Sequence, residues 1–230
     1  MNGHEPINKF ISYLGEDGSR AHKYWNFTGA WCCGEVAMVM KQTTGNLFYN
    51  GKKVVYCPTA YAWCKTHLQK IPTRNAQYGD IIFFDWNKNG VPDHIGMVEY
   101  VSGSTVHTLE GNTGSPARVR RKTRASYILG IFRPKYAPPK PEDYKVIVDG
   151  EWGYHTCLAT QYVLGGLDLD GVLGKATVKA IQKKVGCKAD GVWGKETCKA
   201  MSKFLNIIPQ TSKTKTLIKA WQKWCNTQIK

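Results

Sequence analysis

The chain has 230 residues and a formal net charge of +15. That length suits one or two domains with a real core, and the charge calls for an anionic partner: nucleic acid, an acidic membrane or an anionic wall polymer. The eight cysteines form no C-x-x-C pair, which leaves zinc ribbons unsupported; no apolar stretch is long enough to span a membrane, and the first six residues hold no apolar signal core.

In chain order, Ile7, Phe10, Ile11 and Leu14 recur at helical spacing and predict a first helix over 4–14. Glu16 to Ser19 reads as a turn, and Tyr24 to Phe27 as an aromatic approach to Trp31-Cys32-Cys33-Gly34-Glu35-Val36. A second helix starts at Cys32, runs to about Gln42 and breaks at Thr43 to Asn46. Residues 58–70 predict a third, with Pro58 in its first turn. From Tyr78 the pattern becomes strand-like: Ile81–Phe84, His94–Val101, Thr105–Glu110 and Tyr127–Phe132, with Ser102-Gly103-Ser104 as a tight turn. Helices first and an antiparallel meander afterwards give an α+β domain over 1–136. Ala137-Pro138-Pro139-Lys140-Pro141 opens a stiff linker, 137–143. The basic run Arg118 to Lys122 with Arg124 reads as a solvated face rather than a nucleic-acid reader.

Beyond the linker, 144–230 repeats itself. Asp149-Gly150-Glu151-Trp152-Gly153 recurs from Asp170 and again from Asp190, each time followed by Thr156, Thr177 or Thr197 as an N-cap. Each copy is a Gly-rich turn, an apolar plug (Trp152, Leu173, Trp193) and a short helix: 157–164, 178–185, 198–205. A fourth helix, Leu217 to Thr227, closes a small all-helical domain with no obvious nucleophile–base pair. Both halves are basic, with 18 basic against 10 acidic residues before Asp143 and 14 against 7 from it onward.

A cysteine at the first turn of a buried helix meets unpaired N–H groups that favour thiolate, so its pKa is expected to be lowered. On this stretch alone Cys32 and Cys33 read equally as small core residues. His94 opens one strand, and Glu110-Gly111-Asn112 ends the next. Cys32 would attack, His94 would carry the proton, and Glu110 or Asn112 would hold the other ring nitrogen.

Trp31-Cys32, Gly79-Asp80-Ile81-Ile82-Phe83-Phe84, Asp93-His94-Ile95-Gly96-Met97-Val98 and Glu110-Gly111-Asn112, in that order, resemble the CHAP domain, the cysteine, histidine-dependent amidohydrolases/peptidases, over about residues 5 to 136. The resemblance implies a papain-like fold that cuts bacterial peptidoglycan, with Cys32 as nucleophile, His94 as base, and Glu110 and Asn112 as orienting groups. Glu35 stands where the family has an apolar residue, and Cys33 is a rival nucleophile. The Asp-Gly repeats resemble peptidoglycan-binding modules. The layout of enzyme domain, Pro-rich linker and wall-binding domain is that of a phage endolysin of Gram-positive hosts.

Asp85-Trp86-Asn87-Lys88-Asn89-Gly90-Val91-Pro92-Asp93 reads D-x-N-x-N-G-x-x-D, with oxygen donors on Asp85, Asn87, Asn89, Val91 (backbone) and Asp93 suited to a structural Ca²⁺. The same residues also form ordinary strand connections.

The reading is therefore an endolysin that cuts an amide bond of the wall, as N-acetylmuramoyl-L-alanine amidase or as stem or cross-bridge endopeptidase. Its partners are Gram-positive peptidoglycan and associated anionic wall polymers, with no nucleic acid and no membrane insertion. It is expected in the host bacterial cytoplasm, released to the wall without its own signal peptide. The alternatives are a non-catalytic wall-binding or structural phage protein, a nucleic-acid binder and a general cysteine protease.

Overall fold

The computed structural model describes residues 3–137 and 140–230; Pro138 and Pro139 of the expected linker lie outside the described residues. The chain divides into two compact units, Met1–Pro139 and Lys140–Lys230. The first is α+β and the second helical, as expected. No helix among the described residues is long and apolar enough to cross a membrane.

In the first unit, α1 (His4–Ile11), α2 (Ser19–Trp25), α3 (Cys32–Thr44) and α4 (Cys57–His67) precede most of the sheet. The strands are β1 (Gln69–Ile71), β2 (Ile81–Phe84), β3 (His94–Ser102), β4 (Thr105–Thr113), β5 (Arg118–Arg124) and β6 (Ile128–Arg133). They form one antiparallel sheet in the order β1-β6-β2-β3-β4-β5. Ile81, Phe83, Ile95, Met97, Leu109 and Phe132 join Val36, Met38, Val39 and Met40 of α3 in the main core. Alternate strand residues (Ile82, Phe84, Val98, Val106, Ile131) form a second apolar cluster.

Three elements differ from the sequence reading. Residues 19–25 form α2 where a turn and an aromatic approach were expected. Gln69 and Lys70, expected as the end of a helix, pair together with Ile71 against β6 as an edge strand. The basic run 118–124 is the edge strand β5, paired with β4, where no strand was expected. Only Val119 of that strand is buried, so its sequence carries no apolar alternation.

Asp80 fixes the start of β2. Its carboxylate accepts from Arg133 Nε at 2.8 Å, Arg133 Nη2 at 2.7 Å and the Gln77 amide at 2.8 Å. Gly79 before it has φ +89°, and a Cβ there would stand 2.8 Å from the Gly3 Cα.

The second unit is a closed ring of α5 (Tyr154–Leu164), α6 (Lys175–Val185), α7 (Lys195–Phe204) and α8 (Lys215–Gln228), each packed on the next and α8 on α5. Trp221, Leu217, Ile181, Ala159 and Met201 fill its centre, with Trp152, Leu173 and Trp193 packed partly buried against them. A glutamine closes three of the four junctions. Gln161 Nε2 donates to Asp170, the Val172 carbonyl and Thr177, and its Oε1 accepts from Gly171 N. Gln182 repeats this set on Asp190, Val192, Thr197 and Gly191. Gln222 repeats it on Asp149, Glu151, Thr156 and Gly150, so the last helix clamps the first turn.

Three features of this unit differ from the sequence reading. The N-caps are Gly153, Gly174 and Gly194; Thr156, Thr177 and Thr197 lie inside the first turn, buried, with their hydroxyl oxygens accepting from the glutamine clamps. A fourth, degenerate turn also exists. Ser202 stands where the other helices have glutamine and accepts from Gln210 N at 2.9 Å, and Thr214 caps α8. Pro141–Tyr144, inside the expected linker up to residue 143, is a 3-10 turn whose Tyr144 stacks on Tyr162.

Candidate active site

Trp31 sets the entry to α3. A Cβ on Gly18 or Gly111 would come within 2.5 Å and 2.7 Å of its indole, so the ring fills a slot that only glycine on both sides leaves open. Gly34 does the same for Phe27, whose Cζ lies 2.6 Å from where a Cβ would be. Cys32 is then the first residue of α3, where the first backbone N–H groups have no carbonyl within the helix.

Cys32 and His94 lie close enough that each shifts the titration of the other. His94 Nε2 meets Glu110 Oε2 at 3.0 Å, with His94 6% and Glu110 0% exposed. Arg124 grips Glu110 through two nitrogens, with Nε to Oε1 at 2.8 Å and Nη2 on Oε2. Thr108 Oγ1 donates to Glu110 Oε1 at 2.6 Å. The Arg124 guanidinium lies 4.9 Å over the Trp86 ring and 5.3 Å over that of Phe84, and Trp86 stands 5.9 Å from the His94 ring.

These contacts explain the protonation states. Burial alone would raise the Glu110 carboxyl, but Arg124, His94 and Thr108 together hold it at about 2. Burial is the largest single influence on His94 and lowers it, yet Cys32 and Glu110 outweigh burial and raise it to about 9.

The Cys32 thiol differs from the sequence expectation. It lies well above the usual range rather than below, first because the Cys57 thiol sits 3.6 Å away and then because it is buried; His94 pulls the other way. A buried site denies the helix start most of its benefit to a charged sulfur. Cys33 is also buried, but its Sγ turns to the Val54 carbonyl at 3.7 Å.

Of the candidate residues, Cys32, His94 and Glu110 are therefore brought together. Asn112, at φ +55° where β4 bulges, makes no side-chain hydrogen bond to His94 among the described residues. Sequence reasoning missed Arg124, Thr108, Cys57 and Trp86. Arg124 was visible only as one member of a basic run, and Cys57 lies 25 residues from its partner.

Glu35 is 1% exposed, and its Oε2 has no partner among the described residues. Burial, then repulsion from Glu16, raise its carboxyl to about 7 against the pull of Arg20.

The 85–93 loop folds on its own side chains. Asp85 accepts from Asn89 N at 3.2 Å and Gly90 N at 2.7 Å, Asn87 Oδ1 from Asn89 N at 3.1 Å, and Asn89 Oδ1 from Val91 N at 2.8 Å. Asp93 Oδ2 accepts from Trp86 N at 2.7 Å. No group of three or more His, Cys, Asp or Glu gathers as a metal site among the described residues. The donor set is all oxygen, and each of these oxygens keeps a second lone pair, so the residues fit a hard cation in kind.

No curated protein matches the chain. Among solved structures it is similar to an NlpC/P60 family protein from Bacillus cereus ATCC 10987, at 17% identity and a TM-score of 0.41, covering 60% of this chain and 41% of that one. It is also similar to a protein described as similar to lipoprotein, of the NLP/P60 family, from Staphylococcus aureus subsp. aureus Mu50, at 18% identity and a TM-score of 0.39 over 59% and 42% of the two chains. The chain thus spans about two fifths of the length of each. Residues 23–112, which include Cys32, His94 and Glu110, match the family model of the CHAP domain.

Proposed function

We propose that the protein is a peptidoglycan hydrolase of the endolysin type, cutting an amide bond of the wall through Cys32. One observation carries the reading: of the two adjacent cysteines, Cys32 is the one placed against His94, which is itself paired with Glu110 at 3.0 Å, inside a segment that matches the CHAP domain.

In this mechanism one proton leaves the Cys32–His94 pair, giving a thiolate beside an imidazolium that Glu110 orients. The thiolate adds to the amide carbonyl carbon, and the first N–H groups of α3 receive the oxyanion. The C–N bond breaks as His94 gives its proton to the leaving nitrogen, which leaves a thioester. Water then gives a proton to His94 and attacks the thioester, releasing carboxylate and thiol. Arg124 and Thr108 are positioning residues that act through Glu110. The 85–93 loop is the proposed seat of a structural Ca²⁺, which when bound would brace the chain before His94.

Residues 140–230 are proposed to hold the enzyme on the wall. Their resemblance to peptidoglycan-binding repeats supports this, as does a net positive charge on a ring without a nucleophile–base pair of its own. Mass spectrometry of digested Gram-positive wall tests the proposal. New muramic acid ends free of peptide indicate the amidase, new peptide amino termini the endopeptidase, and an unchanged wall contradicts hydrolysis.

A further inference from the structure

The quasi-symmetry of the ring exposes a charge pattern that the repeat turns alone do not reveal. On α6 the first, fifth and ninth residues are Lys175, Lys179 and Lys183. On α7 they are Lys195, Lys199 and Lys203, and on α8 Lys215, Lys219 and Lys223. All nine are exposed. Positions four apart lie on one helix face, about 6 Å apart along the axis and turned by about 40°, so each helix carries a gently winding row of lysines.

The fourth helix supplies a contrast. On α5 the same positions hold Tyr154, Leu158 and Tyr162. Leu158 is buried, and Tyr144 of the preceding 3-10 turn stacks on Tyr162 at 4.1 Å. Where the chain covers the helix face, the row is apolar; on three helices it is lysine.

Solvation alone is a poor account of these rows. Like charges four apart on a helix repel, and alternating signs would solubilise it at no such cost. Of the nine row lysines, only Lys199, with Glu196 at 3.0 Å, and Lys215, with Glu151 at 3.2 Å, form ion pairs among the described residues. Asp149, Asp170 and Asp190 are turned into the repeat turns and their glutamines.

We propose that the lysine rows of α6, α7 and α8 bind a flexible, linear phosphodiester polymer of the wall, a polyol phosphate chain. This rests on the wall-binding reading above and names its partner. Evenly spaced point charges complement evenly spaced phosphates. The chemistry favours polyol phosphate over nucleic acid: residues 140–230 contain no arginine, the side chain that reads base edges in two-point fashion. The rows also contain no aromatic ring on which a base could stack.

The test measures binding of the full chain to immobilised synthetic poly(glycerol phosphate) across a salt series, with a short DNA duplex at equal phosphate concentration as comparison. Two triple variants each remove three positive charges: Lys183→Gln/Lys203→Gln/Lys223→Gln from the rows, and Lys145→Gln/Lys188→Gln/Lys230→Gln from exposed positions outside them. The row variant should bind about tenfold more weakly, and its log–log salt slope should flatten by about 2, the loss of three phosphate contacts on a single flexible strand. The other variant should stay within about twofold of wild type. Equal losses in both variants overturn the rows as a site, and tighter binding of the duplex overturns the polymer class. Wild-type digestion of peptidoglycan stripped of its phosphate polymers is followed alongside. Hydrolysis without polymer binding overturns this inference alone; polymer binding without hydrolysis supports it and overturns the hydrolase reading.

Discussion

Arg124 grips both carboxylate oxygens of Glu110, whose Oε2 also meets the Nε2 of His94 at 3.0 Å. The last residue of β5 therefore decides how firmly the imidazole is held. Arg124→Ala leaves a fully buried carboxylate with less compensation. It should cost about 3 kcal/mol of stability and lower kcat at least tenfold, with Arg124→Lys intermediate. Urea melts and wall-lysis kinetics check both figures. Glu110→Gln has a different signature. In the wild type the lysis rate should climb with pH through about 9, as the pair loses its first proton. Without the carboxylate, burial dominates His94, and the climb should move to lower pH with a lower maximum. The stability due to Glu110 is fully present above its ordinary value of 4.5 and is lost as pH falls through about 2.

Glu35 predicts the opposite stability trend. Its folded pKa, about 7, lies above the ordinary 4.5, so the folded protein holds a proton that the unfolded chain gives up. Stability should fall as pH rises from about 4.5 to about 7 and then level off, by about 3 kcal/mol in all. Glu35→Gln should remove that slope. Urea midpoints of wild type and variant between pH 4 and 9 measure it as a difference, which cancels the other titrating groups. Parallel curves would show that Glu35 is ionised in the folded protein.

Calcium should act through the loop that Asp85 and Asp93 tie together. Titration calorimetry on chelator-stripped protein should show Ca²⁺ binding more tightly than Mg²⁺, with a rise in melting temperature. Asp85→Ala should abolish both effects. No heat and no shift on the stripped wild type would leave the loop as a self-bonded strand connection.

Gln222 closes the ring by clamping a turn more than 70 residues earlier. Gln222→Ala leaves the Gly150 N–H and Thr156 without that partner, at a cost of about 2–4 kcal/mol. Hydrogen exchange should then speed at the Gly150 amide while the sheet amides of the first unit keep their protection. Unchanged protection at Gly150 would contradict the clamp.

The sequence made legible what local pattern encodes. The apolar run after Cys32 marked α3, the Ile81–Phe84 and His94–Val101 runs marked neighbouring strands, and the Asp-Gly turns marked the first three helices of the second unit. What it hid depends on pairing across distance. β5 has one buried residue, Val119, so nothing in its own pattern signals a strand, and Arg124 gains its role only once β5 lies beside β4. The fourth repeat was invisible because Gln210 and Ser202 replace the residues that define the other three. Local propensity placed Thr156, Thr177 and Thr197 as caps, but burial under the glutamines gives those hydroxyls other partners. Cys57, which sets the Cys32 thiol, arrives from the start of α4.

The central claim is that Cys32, not its neighbour, is the nucleophile. The most direct measurement is the release of new amino or muramic termini from purified Gram-positive wall by wild type, Cys32→Ala and Cys33→Ala at equal folded concentration. The account predicts no release by Cys32→Ala and release within a few-fold of wild type by Cys33→Ala, since Cys33 contacts the Val54 carbonyl rather than His94. Release by Cys32→Ala together with its loss in Cys33→Ala would contradict it.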